Sequence, residues 1–270
     1  MEFAWVAGKE MIEYCAAIWR CRYFWLSLVR NDLRTRYRRS VLGIGWSLLH
    51  PLVMTAVLCL VFPLMLHVEV RIYAPFVLPG LVLWNYLVSV TIQGCQCLFQ
   101  GEAYIRQYPA PMAIYPLRAA LAGTIHFLIA LPVILALAWW SRGLSNPMAL
   151  LSLIPTVALL FILVWATATL AAVGNVFFPD TLHLCEDGFQ MLFFITPVMY
   201  DAATLRAAHL QQLLSYNPLV FLLQLVREPV LDGHAPSLTT FGASAALVFV
   251  VAGLSVVTLA SVQKKLIFHL

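Results

Sequence analysis

At 270 residues, 62% hydrophobic and only 10% charged, the chain cannot clothe a water-facing surface, for which about a quarter of residues are ordinarily charged. A mean hydropathy of +0.88 excludes a soluble globular domain and suits one all-α integral membrane domain. The net charge of +4 is small, and its basic part is local: Arg30, Arg34, Arg36, Arg38 and Arg39 precede a run with no charge until Glu69. A basic cluster flush against a span marks the cytoplasmic membrane face rather than a nucleic-acid site, so no nucleic acid is expected as a partner.

Residues 1–40 come first. Ile12, Cys15, Trp19, Tyr23, Leu26, Val29, Leu33 and Tyr37 recur at steps of three and four, opposite Glu13, Arg20, Ser27, Asn31, Arg34 and Arg38. The spacing predicts an amphipathic interface helix with aromatics among membrane lipids and arginines facing phosphate or a partner. An anchor and a lever on the cytoplasmic face both fit this pattern. The first fifteen residues carry Glu2, Glu10 and Glu13 and no cleavable apolar core, so no signal peptide is expected.

The membrane domain is predicted over 41–270. About 20 apolar residues cross the hydrocarbon core as helix, and six spans are read, at about 41–66, 74–96, 117–140, 147–178, 181–200 and 237–262. The fourth would measure about 48 Å as a straight helix, so it must tilt, bend near Pro155 or project beyond the lipid. The fifth carries Glu186 and Asp187 near its start, and Pro197 is predicted to kink it below Tyr200. Between the second and third spans, Gly101, Pro109, Pro111 and Pro116 punctuate a loop at 101–112. That loop leaves room for a short helix at about 102–108. It is either a linker or a knob offering Glu102, Tyr104, Ile105 and Arg106 to another subunit. The segment 201–236 is apolar yet broken at Asn217-Pro218. Its two halves are each too short to cross, which predicts a re-entrant helical hairpin.

Counting Lys and Arg orients the chain. Lys9, Arg20, Arg22, Arg30, Arg34, Arg36, Arg38, Arg39, Arg106, Arg118, Lys264 and Lys265 fall on one side, and Arg71, Arg142, Arg206 and Arg227 on the other. Twelve against four predicts both termini in the cytoplasm. None of the six cysteines lies in a predicted external loop, so no disulfide framework is expected. Cys95-x-Cys97 lacks further ligands nearby and reads as packing, and no metal site is predicted. Ala119-xxx-Gly123 and Gly242-xxx-Ala246 permit close helix contact without assigning a dimer face.

Absent motifs narrow the function. Lys9, Lys264 and Lys265, the only lysines, sit in no G-x-x-x-x-G-K-[ST] setting, so the chain has no P-loop of its own. The span centres hold no Asp, Glu, Lys or Arg, unlike the usual ion-coupled transporter. His50 and His126 are more naturally packing residues than proton relays. Asp180 and Glu186-Asp187 sit at a helix start, where capping explains them. Catalysis is therefore not expected; a membrane enzyme of polyprenyl phosphates and a secondary transporter are weaker alternatives. What remains is a pathway without an engine.

The stretch RNDLRTRYRRSVLGIGWSLLHPL, at 30–52, resembles the segment before the first span of ABC-2 type permeases that export polysaccharides. Arg34, Arg36, Tyr37, Ser40, Leu42, Gly43, Trp46, Leu49 and Pro51 match that family's pattern. ITPVMY (195–200) and YNPLVFLLQLVRE (216–228) are similar to two further family segments. The resemblance implies a homodimer around a central channel in the bacterial inner membrane, each copy docked on an ATPase subunit that binds ATP and Mg. It implies that this chain holds no cofactor, and that the interface helix and the 101–112 loop receive the motion of the ATPase. It implies a cytoplasmic entrance at Arg34, Arg36, Tyr37, Arg38 and Arg39 for a polyprenyl-linked pyrophosphate, which arginine forks grip bidentately. The positive-inside effect accounts for the same arginines without a ligand. It implies an external gate at Pro197, Tyr200, Asn217 and Pro218. The expected cargo is a lipid-linked glycan such as O antigen; capsular polysaccharide, teichoic acid, lipo-oligosaccharide or a hydrophobic drug are alternatives.

Trp46, Trp84, Tyr86, Trp165, Phe177 and Phe178 could line such a channel, or serve as interface belt and packing. Asn85, Ser89, Thr91, Gln93 and Gln96 make the second span polar, as a pore-facing stripe or through hydrogen bonds between helices.

Overall fold

The computed structural model describes residues 13–37, 40, 43–107, 110–143, 146–200 and 217–270. Arg38, Arg39 and the first arm of the expected hairpin, 201–216, lie outside them, as do residues 1–12 of the interface helix. The described residues are helical, without strands. In chain order they form α1 (13–20) and α2 (Arg22–Tyr37), then α3 (Trp46–Leu66), α4 (Val70–Gln107) and α5 (Ile114–Arg142). After these come α6 (Leu153–Phe177), α7 (Thr181–Ile195), α8 (Pro218–Arg227) and α9 (Leu238–Leu266).

Among the described residues, five segments, Trp46–Met65, Val70–Gln107, Ile114–Ser141, Pro147–Phe177 and Leu238–Gln263, are long and apolar enough to cross a membrane. Up-and-down order stacks them into a bundle with α4 at its centre, packed on α3, α5 and α6, while α9 lies along α6. The outermost helices, α3 and α9, turn Leu60, Leu64, Phe249 and Val257 outward, as lipid contact requires and water would penalise. Two clusters fill the interior. One gathers Leu78, Leu83, Ile134, Leu160 and Leu222, and the other, at the end where α1 and α2 lie, gathers Ile18, Leu98, Ile114, Tyr115 and Leu266.

Glycine sets how closely α4 approaches its neighbours. A Cβ at Gly94 would lie 2.6 Å from the Ala168 Cα of α6, so the two backbones meet as small-residue packing allows. Gly123 of α5 leaves room for the Val90 side chain of α4, whereas Gly242 looks onto open space. Of the two small-residue pairs in the sequence, one joins helices within the chain and the other faces outward.

The loop expected at 101–112 is shorter than its sequence implies. Gly101 does not interrupt the second span: α4 runs unbroken to Gln107, so the separate helix expected there is its last turns. Gly101 sits against the Tyr115 ring, and that packing outweighs the roughly 1 kcal/mol by which glycine disfavours helix. The fourth span changes helix type rather than bending at Pro155. A 3-10 stretch, Pro147–Ser152, capped by Asn146 onto Met148 N, leads into α6. Pro155 then falls in the first helical turn, where its missing N–H costs nothing. Likewise α7 ends at Ile195, with Thr196 extended and its N–H bonded to Leu192 O, so Pro197 stands beyond the helix rather than kinking it.

Candidate functional site

Asn85, Ser89, Gln93 and Gln100 recur along α4 at steps that place them on one side, and none is buried. Asn85 and Ser89 border a cleft of about 600 Å³ between α3, α4 and α5, with Trp46, Ser47 and His50 from α3, His126 from α5 and Glu186 from α7. A second cavity of about 320 Å³ continues toward α2 and adds Asp32, Thr35, Gln93, Gln100 and Arg118. His126 lines both, so they are two reaches of one polar groove. Thr91 takes the opposite role. It is buried, donates to Leu87 O at 2.8 Å and meets Thr167 of α6 at 3.1 Å, so the polar residues of α4 divide between groove and helix contact.

Hydrogen bonds fix the groove walls. Ser47 Oγ and His126 Nδ1 lie 3.0 Å apart and join α3 to α5. The Tyr86 hydroxyl lies 2.7 Å from Thr124 Oγ1, and its ring stacks on Phe127 at 4.9 Å. At the α2 end, Arg118 Nε stands 2.7 Å from Asp32 Oδ2, and another of its nitrogens donates to Gln100 Oε1 at 3.0 Å. This buried guanidinium therefore ties α2, α4 and α5 together. Burial pushes the Asp32 carboxyl up from its ordinary range, and Arg118 pulls it partly back.

The expected face of the interface helix divides in two. Val29 is buried, but Trp19 and Tyr23 are exposed, and the bundle is met instead by Ile18, Leu28 and Asp32. Tyr14 accepts a hydrogen bond from Ala113 N, and Phe24 packs edge-on to Tyr104 at 5.8 Å. The exposed rings share Arg22, whose guanidinium lies 4.6 Å from the Tyr23 ring.

Of the expected entrance residues, Arg34 is exposed on α2; Arg36 and Tyr37 end that helix, and their side chains, like Arg38 and Arg39, fall outside the description. Among the expected channel aromatics, Trp46 and Tyr86 border the cleft. Trp84 is buried against Phe189 and Phe193 of α7, Trp165 donates to Ala113 O, and Phe177 and Phe178 stand exposed at the far end of α6. Glu102 and Arg106 pair at 2.8 Å on the exposed end of α4, beside half-exposed Tyr104, while Ile105 is buried.

At the opposite end a second buried arginine organises the segment after α7. Arg227 of α8 donates to Pro197 O at 2.8 Å and Val198 O at 2.7 Å, and lies 3.9 Å from the Phe76 ring of α4. The Tyr73 hydroxyl donates to Met199 O, Asn217 Nδ2 to Thr196 Oγ1, and the Tyr200 hydroxyl to Phe194 O. Asn217 also caps α8, with Pro218 as its first residue. The sequence reading counted Arg118 and Arg227 only as loop charges. The signal for their role was position, each arginine set inside or against an apolar run. His126 was read from the sequence as a packing residue inside a span; Ser47 and Asp32 carried no such signal.

Among the described residues, no three His, Cys, Asp or Glu side chains gather as a metal site, and Cys95 and Cys97 are buried. Several apolar helices around a polar groove define a multi-pass membrane protein. No protein-family model matches the chain. It is 26% identical over 76% of its length to an O-antigen export system permease protein, RfbA, of Klebsiella pneumoniae, covering 79% of that relative. It is 27% identical over 79% of its length to the protein of the same name from Myxococcus xanthus, covering 82%. With the polysialic acid transport protein KpsM of Escherichia coli it shares 22% identity over 77% of its length, covering 81%. These relatives, at 22–27% identity, are ABC-2 type polysaccharide-export permeases, the family that the segment before the first span resembles.

Proposed function

We propose that the chain is the permease subunit of an ATP-driven exporter carrying a polyprenyl-pyrophosphate-linked glycan of O-antigen type across the bacterial inner membrane. The observation that carries this reading is the polar groove, which starts beside α2 and runs between α3, α4 and α5 in a homologue of O-antigen permeases. The groove is open along one side of a single chain; two copies facing each other would close it into a channel.

In this reading the arginines around Arg34 meet the diphosphate at a cytoplasmic entrance. Two ATPase subunits, binding ATP and Mg, dock on α1, α2 and the end of α4, where Glu102, Tyr104 and Arg106 are offered and Ile105 holds that end to the bundle. The segment at 196–200 and the capped start of α8 form the outer gate, with Pro197, Tyr200, Asn217 and Pro218 at its turns. At about 1.5 Å per residue, the 15 residues of α7 reach about 22 Å, short of a core of about 30 Å. A sixth crossing is completed by the non-helical residues after α7, and α8 is one arm of the re-entrant hairpin. Both termini then lie in the cytoplasm. The kinship with polysialic acid transport proteins favours capsular polysaccharide as the second reading of the cargo.

Co-reconstitution of the permease with its ATPase in vesicles tests the proposal. ATP-dependent appearance of a lipid-linked glycan on the far face is expected. Uphill delivery by the permease alone would overturn it.

A further inference from the structure

We infer that the groove admits uncharged sugar residues and disfavours polyanionic glycan. This rests on the groove being the cargo route, and it names the chemistry of the cargo at that site.

The inference comes from what the walls offer. Asn85 and Gln93 present amide groups, each of which donates and accepts hydrogen bonds, and Ser89 adds a hydroxyl that gives its proton to Tyr86 O at 3.4 Å and keeps its acceptor sites. Sugar hydroxyls do the same, so a neutral residue can exchange its hydration for the wall group by group, whereas a carboxylate only accepts. Trp46 stands half-exposed beside them and offers a flat apolar face to sugar C–H groups.

Formal charge points the same way. The described lining holds Asp32 and Glu186 against one cation, Arg118. That cation is buried and engaged with Asp32 at 2.7 Å and Gln100 at 3.0 Å. Glu186 stands at the other reach of the groove, 3.4 Å from His183 of its own helix. A glycan with a carboxylate on every residue would thus meet the Glu186 carboxylate at one reach and, at the other, the Asp32–Arg118 pair, whose only cation is already held by a carboxylate. Like-charge juxtaposition of this kind rejects partners efficiently. Arg34 lies on α2 but not in the lining of either cavity, so anion binding and sugar passage fall to separate surfaces.

The test uses the permease assembled with its ATPase in nanodiscs at pH 7.5. Two fluorescent probes of equal length, a mannose hexamer and a sialic acid hexamer, are titrated by anisotropy. The mannose hexamer is expected to bind at least about tenfold tighter. Glu186→Gln should narrow that ratio without weakening mannose binding, and the double variant Asn85→Leu with Ser89→Leu should weaken mannose binding alone. Asn85→Lys, a second route to the same point should Glu186→Gln fail to assemble, should tighten the sialic acid hexamer.

Equal or tighter sialic acid binding by the wild type, or a ratio unmoved by both Glu186→Gln and Asn85→Lys, overturns the inference. ATP-driven delivery is measured on the same preparation. Delivery with equal binding of the two hexamers defeats the charge selection and leaves the transport reading standing. Absence of both binding and delivery defeats both.

Discussion

Arg118 and Arg227 are the charged side chains that the fold buries among its described residues, and each holds helix ends in register. Removing one partner of a buried pair costs about 3–5 kcal/mol; Asp32 keeps about a third of its side chain exposed, so screening brings the cost of Arg118→Met to about 2 kcal/mol. A lower unfolding midpoint in detergent should report that loss. The exchanged pair, Asp32→Arg with Arg118→Asp, should recover part of it, and no recovery would show that the pairing is not what matters. For Arg227→Met the loss should be larger, about 3 kcal/mol or more, because two charge-assisted bonds to carbonyls at 197 and 198 go with it. An unchanged midpoint would contradict the clamp. Position marked both residues but not their partners: an arginine beside an apolar run is read first as a topology marker, and only the fold shows which carbonyls or carboxylates come to meet it.

Elements were legible where hydrophobic length decides and less so where packing decides. The centres of α3, α5 and α9 follow their apolar runs closely. The end of α4 does not, because a glycine that punctuates a free chain becomes, under the Tyr115 ring, the residue that lets a helix continue. Spin labels at positions 96 and 106 test this: an unbroken helix spaces them about 15 Å along its axis, and a broad, longer distribution would restore the loop. The interface helix was legible as amphipathic, but its periodicity could not say which of two apolar faces meets the bundle. Ile18 and Leu28 do; Trp19 and Tyr23 face out. Close approach between helices gives a further contrast. Gly94→Leu should force α4 from α6 and abolish stable expression, whereas Gly242→Leu, facing open space, should express at the wild-type level. Equal behaviour of the two would contradict the packing.

For the whole molecule, class and kinship were readable from composition and one arginine-rich segment, and relatives at 22–27% identity agree. The groove was half readable. The polar stripe on α4 stood in the sequence, but its division between groove and helix contact required knowing where α5 and α6 lie. Function should depend on the charges before the first span. The triple variant Arg34→Gln, Arg36→Gln and Arg38→Gln should lose glycan export while keeping wild-type expression and unfolding midpoint; export that persists would remove these residues from the cargo's path.

The continuity of α4 has one more consequence. Its 38 residues make a mast about 57 Å tall. The turn after α7 is fastened near one end through Tyr73, the groove wall is cut into its middle, and the Glu102–Arg106 pair stands at the other end. A pivot of about 5° would carry the tip about 5 Å relative to the foot. Tightness above and width at mid-height would then change together, in a single stroke.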